Sequence, residues 1–218
     1  GARSDVVEDI IARTQPTLIY LSPHFHNPTG AVLPEDRRRE FARVAQETGI
    51  VMIEDHAMAD LSLDEVELPP PIASFAPEAA IHTIGSTAKL FWAGLRIGWL
   101  RSPTDWSTRM LATKTVADLG SPIVSQMIAV RMLENFAAIQ RERRAQLTPR
   151  RDLLCRLLDE HLPEWTYRKP EGGLSVWASI PQGNADEFAE IANRYGVAVV
   201  PGHQMTWKHA NPRPIRNF

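Results

Sequence analysis

The sequence predicts an α/β fold: a mainly parallel sheet with helical cover on both faces, followed by a smaller α+β unit. Three observations carry that reading. Short apolar runs rich in β-branched residues alternate with helix-period segments between residues 5 and 100, and strand, helix, strand at this spacing favours parallel pairing. Polar residues of different chemistry, Asn27, Asp55, Ser86 and Lys89, each fall just past the C-terminal end of one of those runs, which is where open parallel sheets bind ligands. After a long helical stretch, strand-like runs at 165–169 and 174–180 flank Pro170-Glu171-Gly172-Gly173.

Taken in order, residues 5–14 read as a helix, with Val6, Ile10 and Ile11 on one face and Gln15-Pro16 as the stop. Thr17 to Leu21 reads as a buried strand, and the loop from Ser22 to Gly30 follows it. Pro34 suits a first helical turn, Glu35 and Asp36 suit the positive end of a helix dipole, and Phe41, Val44 and Ala45 mark the buried stripe up to Gly49. The second strand is Ile50 to Ile53, running into Glu54-Asp55, and the third is Ala80 to Ile84, beyond the connector Leu68-Pro69-Pro70-Pro71. Ile97 to Leu100 is the fourth. One long helix is expected from Ser121 to about Leu147, ending in a basic cluster, Arg141, Arg143, Arg144, Arg150 and Arg151, that reads as a solvated face. A helix over 185–195 and a strand at 197–200 close the smaller unit.

Bulk properties exclude several classes. With 218 residues the chain is long enough to bury roughly 70% of its unfolded surface. A formal net charge of −2 with 23% charged residues sets up no global field for nucleic acid or an anionic membrane. No apolar run reaches the ~18 residues that span a bilayer, and no signal-peptide pattern opens the chain. The single cysteine, Cys155, cannot form an internal disulfide; it reads as buried packing and fits a cytoplasmic protein. The chain opens on Gly1 rather than methionine, as a piece of a longer protein would.

The chemistry converges on Lys89. Ala88, Leu90, Phe91 and Trp92 surround it, and partial desolvation there would lower its pKa and free the amine as a nucleophile. Taken alone, such a lysine more often snorkels to the surface, and Asp55 alone is more often a cap or loop carboxylate. His24, His26 and His56 match no zinc spacing, so no metal is expected. Together, however, a lysine, an acid, a hydroxyl and an arginine are what pyridoxal 5′-phosphate requires. Lys89 would form the aldimine, Asp55 would hold the proton on the ring nitrogen, Ser86 and Arg96 would take the phosphate, and Asn27 would donate to the phenolic oxygen.

These residues resemble the fold-type I pyridoxal-phosphate enzymes, the class I/II aminotransferases. Asn27-Pro28-Thr29-Gly30 is similar to that family's asparagine loop, Glu54-Asp55 to its ring-nitrogen acid, Ser86-x-x-Lys89 to its cofactor lysine and Gly94-Leu95-Arg96-Ile97-Gly98 to its phosphate arginine. Within the family, His26 to Gly30, Glu54 to Leu61 and Lys89 to Arg96 look most like the effector domains of MocR-type regulators, which carry an amino-terminal winged helix of the GntR class. The resemblance implies a partial aspartate-aminotransferase-like large domain over 1–115, a connecting helix over 116–150 and a small domain over 151–218. It further implies a cytoplasmic homodimer that moves an amino group between an amino acid and a 2-oxo acid. The alternative is an effector-sensing domain that reaches DNA only through a winged helix absent from this chain. Three departures stand out. Met58 occupies the place of a family tyrosine that bonds the phenolic oxygen; the family's upstream half has no counterpart before Gly1; and the tail from His203 to Phe218 is short, with Arg216 as the candidate for the substrate carboxylate.

Overall fold

The computed structural model describes residues 2–205; Arg216 lies outside the described residues. Helix α1 (Ser4–Thr14) precedes strand β1 (Leu18–Leu21), helix α2 (Glu35–Thr48) and strand β2 (Val51–Asp55). Strand β3 (Ile81–Ser86) runs into a single helical turn, α3 (Thr87–Leu90), and strand β4 (Gly98–Arg101) follows. These strands form one sheet in the order β1-β2-β3-β4. The first three are parallel, with Tyr20 beside Ile53 and Asp55 beside Ile84. β4 runs antiparallel to β3, with Ser86 beside Gly98. The connection over residues 87–97 explains the reversal, because a parallel crossover takes a dozen or more residues.

Helix α2 has the boundaries its sequence chemistry dictates: Pro34 at the N-cap, Glu35 and Asp36 in the first turn, and Gly49 at the C-cap with φ 69°. Its buried stripe, Phe41, Ala42 and Ala45, meets Met52 and Ile81 from the sheet and Ile72, Ala73 and Ala76 from the β2–β3 connection. A second apolar cluster lies under the β3–β4 connection, where Leu61, Leu90, Phe91 and Leu95 pack against Met132, Phe136, Ile139 and Leu147.

The helical region differs from expectation. Helix α4 (Thr104–Asp118) has no buried residue, and its apolar side chains are spread around the circumference, so it lacks the periodic stripe that marks a helix in sequence. The single helix expected over 121–147 is two, α5 (Ile123–Glu134) and α6 (Phe136–His161), divided at Asn135. Helix α6 carries Pro149 inside it and continues past it. The basic cluster is only in part a solvated face, since Arg141 and Arg150 are exposed but the other three are not. Arg143 donates to the carbonyls of Leu90 and Phe91, Arg144 to that of Ser62, and buried Arg151 to Asp64 and to the Pro170 carbonyl.

Beyond α6, strands β5 (Thr166–Tyr167) and β6 (Ala178–Ser179) form an antiparallel pair. Helix α7 (Ala185–Arg194) is capped by Asn184, whose side chain accepts from the Asp186 amide. The strand expected over 197–200 is irregular backbone with exposed Val197 and Val200. Cys155 is buried on α6. Among the described residues no helix is long and apolar enough to cross a membrane.

Candidate active site

A cavity of about 660 Å³ opens at the C-terminal ends of β1 and β2 and is walled by Tyr20, His26, Asn27, Asp55, Met58 and Lys89, among others. That volume lies within the roughly 300–1,000 Å³ of small-molecule and cofactor sites. Three of the sequence-predicted residues, Asn27, Asp55 and Lys89, therefore share one wall. Ser86 and Arg96 are not among the residues that line the cavity; they stand at the two ends of the β3–β4 connection. Ser86 Oγ accepts the Ala88 amide at 3.2 Å and so caps the turn bearing Lys89. Thr87 holds the Ile97 carbonyl through both its amide (3.1 Å) and its hydroxyl (2.7 Å), which keeps Arg96 close to the Ser86 end of the sheet. Arg96 is exposed and left-handed, with φ 54°.

The strand pleat decides which of the adjacent acids faces the cavity. Successive side chains of β2 point to opposite faces. Glu54 is fully buried and accepts from the amides of Ile72 (2.7 Å) and Ala73 (3.2 Å) and from the Thr83 hydroxyl (2.6 Å). Burial pushes the Glu54 carboxyl up, but the adjacent His56 imidazole and bonds from Thr83 and the Ile72 amide outweigh it and hold the group below its ordinary value. Glu54 is thus committed to the fold. Asp55 is half-buried on the cavity side; its Oδ1 accepts the Ala57 amide at 2.7 Å and its Oδ2 accepts the Tyr20 hydroxyl. Each carboxylate oxygen has two acceptor positions, so Asp55 retains capacity for a ring N–H.

Lys89 is exposed on the cavity wall, which corrects the expectation of a partly desolvated ammonium. Its neighbours Leu90 and Phe91 turn into the second apolar cluster while Trp92 points to solvent, so apolar sequence neighbours do not enclose the lysine. Asn27 is exposed at the tip of its loop, where a cis bond joins it to Pro28. The His26 amide donates to the Ala31 carbonyl (2.8 Å) and the Gly30 amide to the His26 carbonyl (2.7 Å), which closes that loop. The segment after α6 braces it: Ser175 Oγ lies 3.5 Å from Asn27 Oδ1, and a Cβ on Gly30 would meet Pro170 Cβ at 3.0 Å.

Sequence reasoning missed Tyr20 as a site residue. The signal was available, since Tyr20 lies on the strand neighbouring β2 and shares the face of Asp55. Met58, by contrast, packs against the Leu61 and Leu90 cluster while lining the cavity. His24 and His56 belong to the structural network behind Glu54: their rings meet edge to face at 4.4 Å, His24 Nε2 lies 2.9 Å from the buried Arg38 guanidinium, and His56 Nε2 lies 3.2 Å from Glu54. Among the described residues no three His, Cys, Asp or Glu side chains are grouped to hold a metal.

The donor set fits pyridoxal phosphate: an exposed amine, a carboxylate with spare acceptor capacity and an amide line one cavity, and a hydroxyl and an arginine flank the connection that carries the amine. The chain is 32% identical over 207 residues to the 2-aminoadipate transaminase of Thermus thermophilus, covering 93% of this chain and 52% of that enzyme. It is 35% identical over 166 residues to an uncharacterized HTH-type transcriptional regulator, YdfD, of Bacillus subtilis, covering 75% of this chain and 34% of the regulator. The structure superposes on LysN, the α-aminoadipate aminotransferase of Thermus thermophilus solved with N-(5′-phosphopyridoxyl)-L-leucine, with a TM-score of 0.87 at 28% identity, over 100% of this chain and 56% of that one. The fold is therefore that of the aspartate-aminotransferase-like fold-type I proteins, and the chain spans about half the length of these aminotransferase relatives. With the family model for aminotransferase class I and II matching residues 7–216, the chain belongs to that family.

Proposed function

We propose that this chain is the pyridoxal-phosphate-binding part of an aminotransferase that moves an amino group between an amino acid and a 2-oxo acid. The observation that carries the reading is the meeting of Lys89, Asp55 and Asn27 on one cavity wall. When bound, the cofactor supplies an electron sink for the charge left on the substrate's α-carbon. The chain's own residues supply the rest. Lys89 would hold the cofactor through its Nζ and, as a free amine, would take the substrate's α-proton as general base and return it as general acid. Asp55 would hold the ring nitrogen's proton through a charge-assisted bond, and its Ala57 and Tyr20 donors orient it. Asn27 would donate to the phenolic oxygen, and Ser86 and Arg96 would take the phosphate. Arg216 takes the substrate carboxylate in this reading.

The reading extends to a large domain over 1–115, a connecting helix over 116–150, a small domain over 151–218, and a cytoplasmic homodimer. A second reading is favoured by the similarity to the HTH-type regulators YdfD and, at 34% identity over 195 residues, YisV, both of Bacillus subtilis. In it the same cavity senses an effector for a MocR-type regulator that reaches DNA through a separate winged helix. Mixing the purified chain with pyridoxal phosphate tests both at their common root: a visible absorption band should appear, and Lys89→Ala should abolish it. No band, or the same band from the variant, sinks the assignment. Adding amino acids then separates the two readings, since an aminotransferase releases 2-oxo acid and a sensor does not.

A further inference from the structure

One face of α6 is a row of donors aimed at the backbone of the site. Gln140, Arg143, Arg144, Thr148 and Arg151 recur at the spacing of a helical stripe. Gln140 donates to the Asp60 carbonyl at 3.0 Å, Arg144 to that of Ser62 at 2.9 Å and Thr148 to that of Leu63 at 3.2 Å, all on the segment leaving β2 after Asp55. Arg151 reaches the Pro170 carbonyl at 2.9 Å, at the start of the loop that abuts Asn27. Arg143 alone in this row reaches the lysine turn: its Nε donates to the Leu90 carbonyl at 3.2 Å and a terminal nitrogen to the Phe91 carbonyl at 3.0 Å.

Those two carbonyls follow Lys89 directly. Helix α3 is a single turn with the Phe91 amide bonded back to Thr87 at 3.0 Å, so it leaves C-terminal carbonyls without an intrahelical partner. A turn this short does not hold itself in water. Its start is pinned by Ser86 and Thr87; its end is pinned by a planar fork whose charge also suits the negative end of the turn.

We propose that Arg143 is a positioning residue for Lys89, clamping the two carbonyls after the lysine turn so that the placement of α6 sets the direction of the amine. The proposal rests on Lys89 being the reactive amine. It also makes α6 the element that registers the Lys89 turn, the segment after Asp55 and the loop beside Asn27 against one another.

The test compares Arg143→Gln with Arg144→Gln, which removes a guanidinium from the same helix without touching the lysine turn. Amide hydrogen exchange of residues 87–95 and the pH profile of Lys89 labelling by a small amine-reactive reagent are read on the chain without cofactor. Arg143→Gln is expected to speed exchange at Phe91 roughly tenfold and to shift the Lys89 labelling profile. Arg144→Gln should do neither, and Arg143→Lys, which keeps one donor, should restore part of the protection. Equal behaviour of the two Gln variants, or an unchanged Phe91 amide and labelling profile in Arg143→Gln, overturns the proposal; if Arg143→Gln does not fold, the same readings on Arg143→Lys decide it. Because both are taken without cofactor, a missing absorption band would sink the function of Lys89 and leave this result standing separately.

Discussion

Tyr20 and Asp55 join neighbouring parallel strands across the mouth of the cavity, the phenol donating to Asp55 Oδ2. Tyr20 is half exposed, and desolvation first, then the bond to Asp55, raise its pKa. The donor is therefore present throughout the neutral range. A phenol whose folded pKa is raised contributes stability that is complete below its ordinary value of 10.0 and is lost as pH rises through the higher folded value. Tyr20→Phe removes one of the two donors on Asp55. Because the pair is partly exposed, we expect cofactor affinity to fall by about three- to tenfold with little change in melting temperature. Titrating the visible band checks the first and thermal denaturation the second.

Glu54 and Asp55 should separate stability from binding. Glu54 is fully buried with backbone and hydroxyl partners, so Glu54→Ala leaves orphaned donors and should cost about 3–5 kcal/mol. Asp55→Asn keeps the shape and an acceptor for Ala57 but removes the charge. Denaturant unfolding of Asp55→Asn should stay near wild type while its cofactor affinity drops at least tenfold, as loss of a charge-assisted bond of about 1.5–3 kcal/mol implies. The reverse pattern would mean that Glu54 is the ring-nitrogen acid.

The sequence made the site more legible than the scaffold around it. That Asn27, Asp55 and Lys89 line one cavity could be expected because side-chain placement at strand ends depends on where strands stop, and three short apolar runs mark that clearly. The choice of Asp55 over Glu54 then follows from the pleat alone. What the local sequence hides is anything decided by distant partners. Lys89 has apolar neighbours yet is exposed, because Leu90 and Phe91 are drawn toward α5 and α6. Arg143, Arg144 and Arg151 look like a solvated basic face, yet bond carbonyls from three other segments. Helix α4 has no stripe to announce it.

Acid should weaken the fold through His24. This imidazole is 3% exposed and held down to about 3 from its ordinary 6.5, by burial first and then by the charges of Arg38 and His56. Between those values the unfolded chain binds a proton that the folded chain refuses, so stability falls as pH drops from 6.5 toward 3. Glu54, also held below its ordinary value, adds a loss in the same direction at lower pH. Melting temperature followed from pH 7 to 4 should decline for the natural chain and decline less steeply for His24→Gln, which has no proton to gain. Parallel curves would place the acid sensitivity elsewhere.

Gly172 is where the segment after α6 presses on the asparagine loop. It pairs with Ser62, and a Cβ there would lie 2.4 Å from Phe25 Cζ and 2.5 Å from the Leu61 carbonyl. Phe25 is buried two residues before Asn27, so its ring has little room to retreat. The Leu61 carbonyl is backbone, held by the Gly173 amide at 2.9 Å, and cannot swing aside. Gly172→Ala should therefore cost about 1–3 kcal/mol through overpacking and displace Ser175 from Asn27. We expect a lowered melting temperature together with a blue-shifted or weakened cofactor band, because Asn27, which we propose donates to the phenolic oxygen, is no longer braced. Phe25→Leu in the same chain gives the added methyl room and should recover the band; failure to recover it would show that the brace runs through the backbone of Leu61 and not through the Phe25 ring.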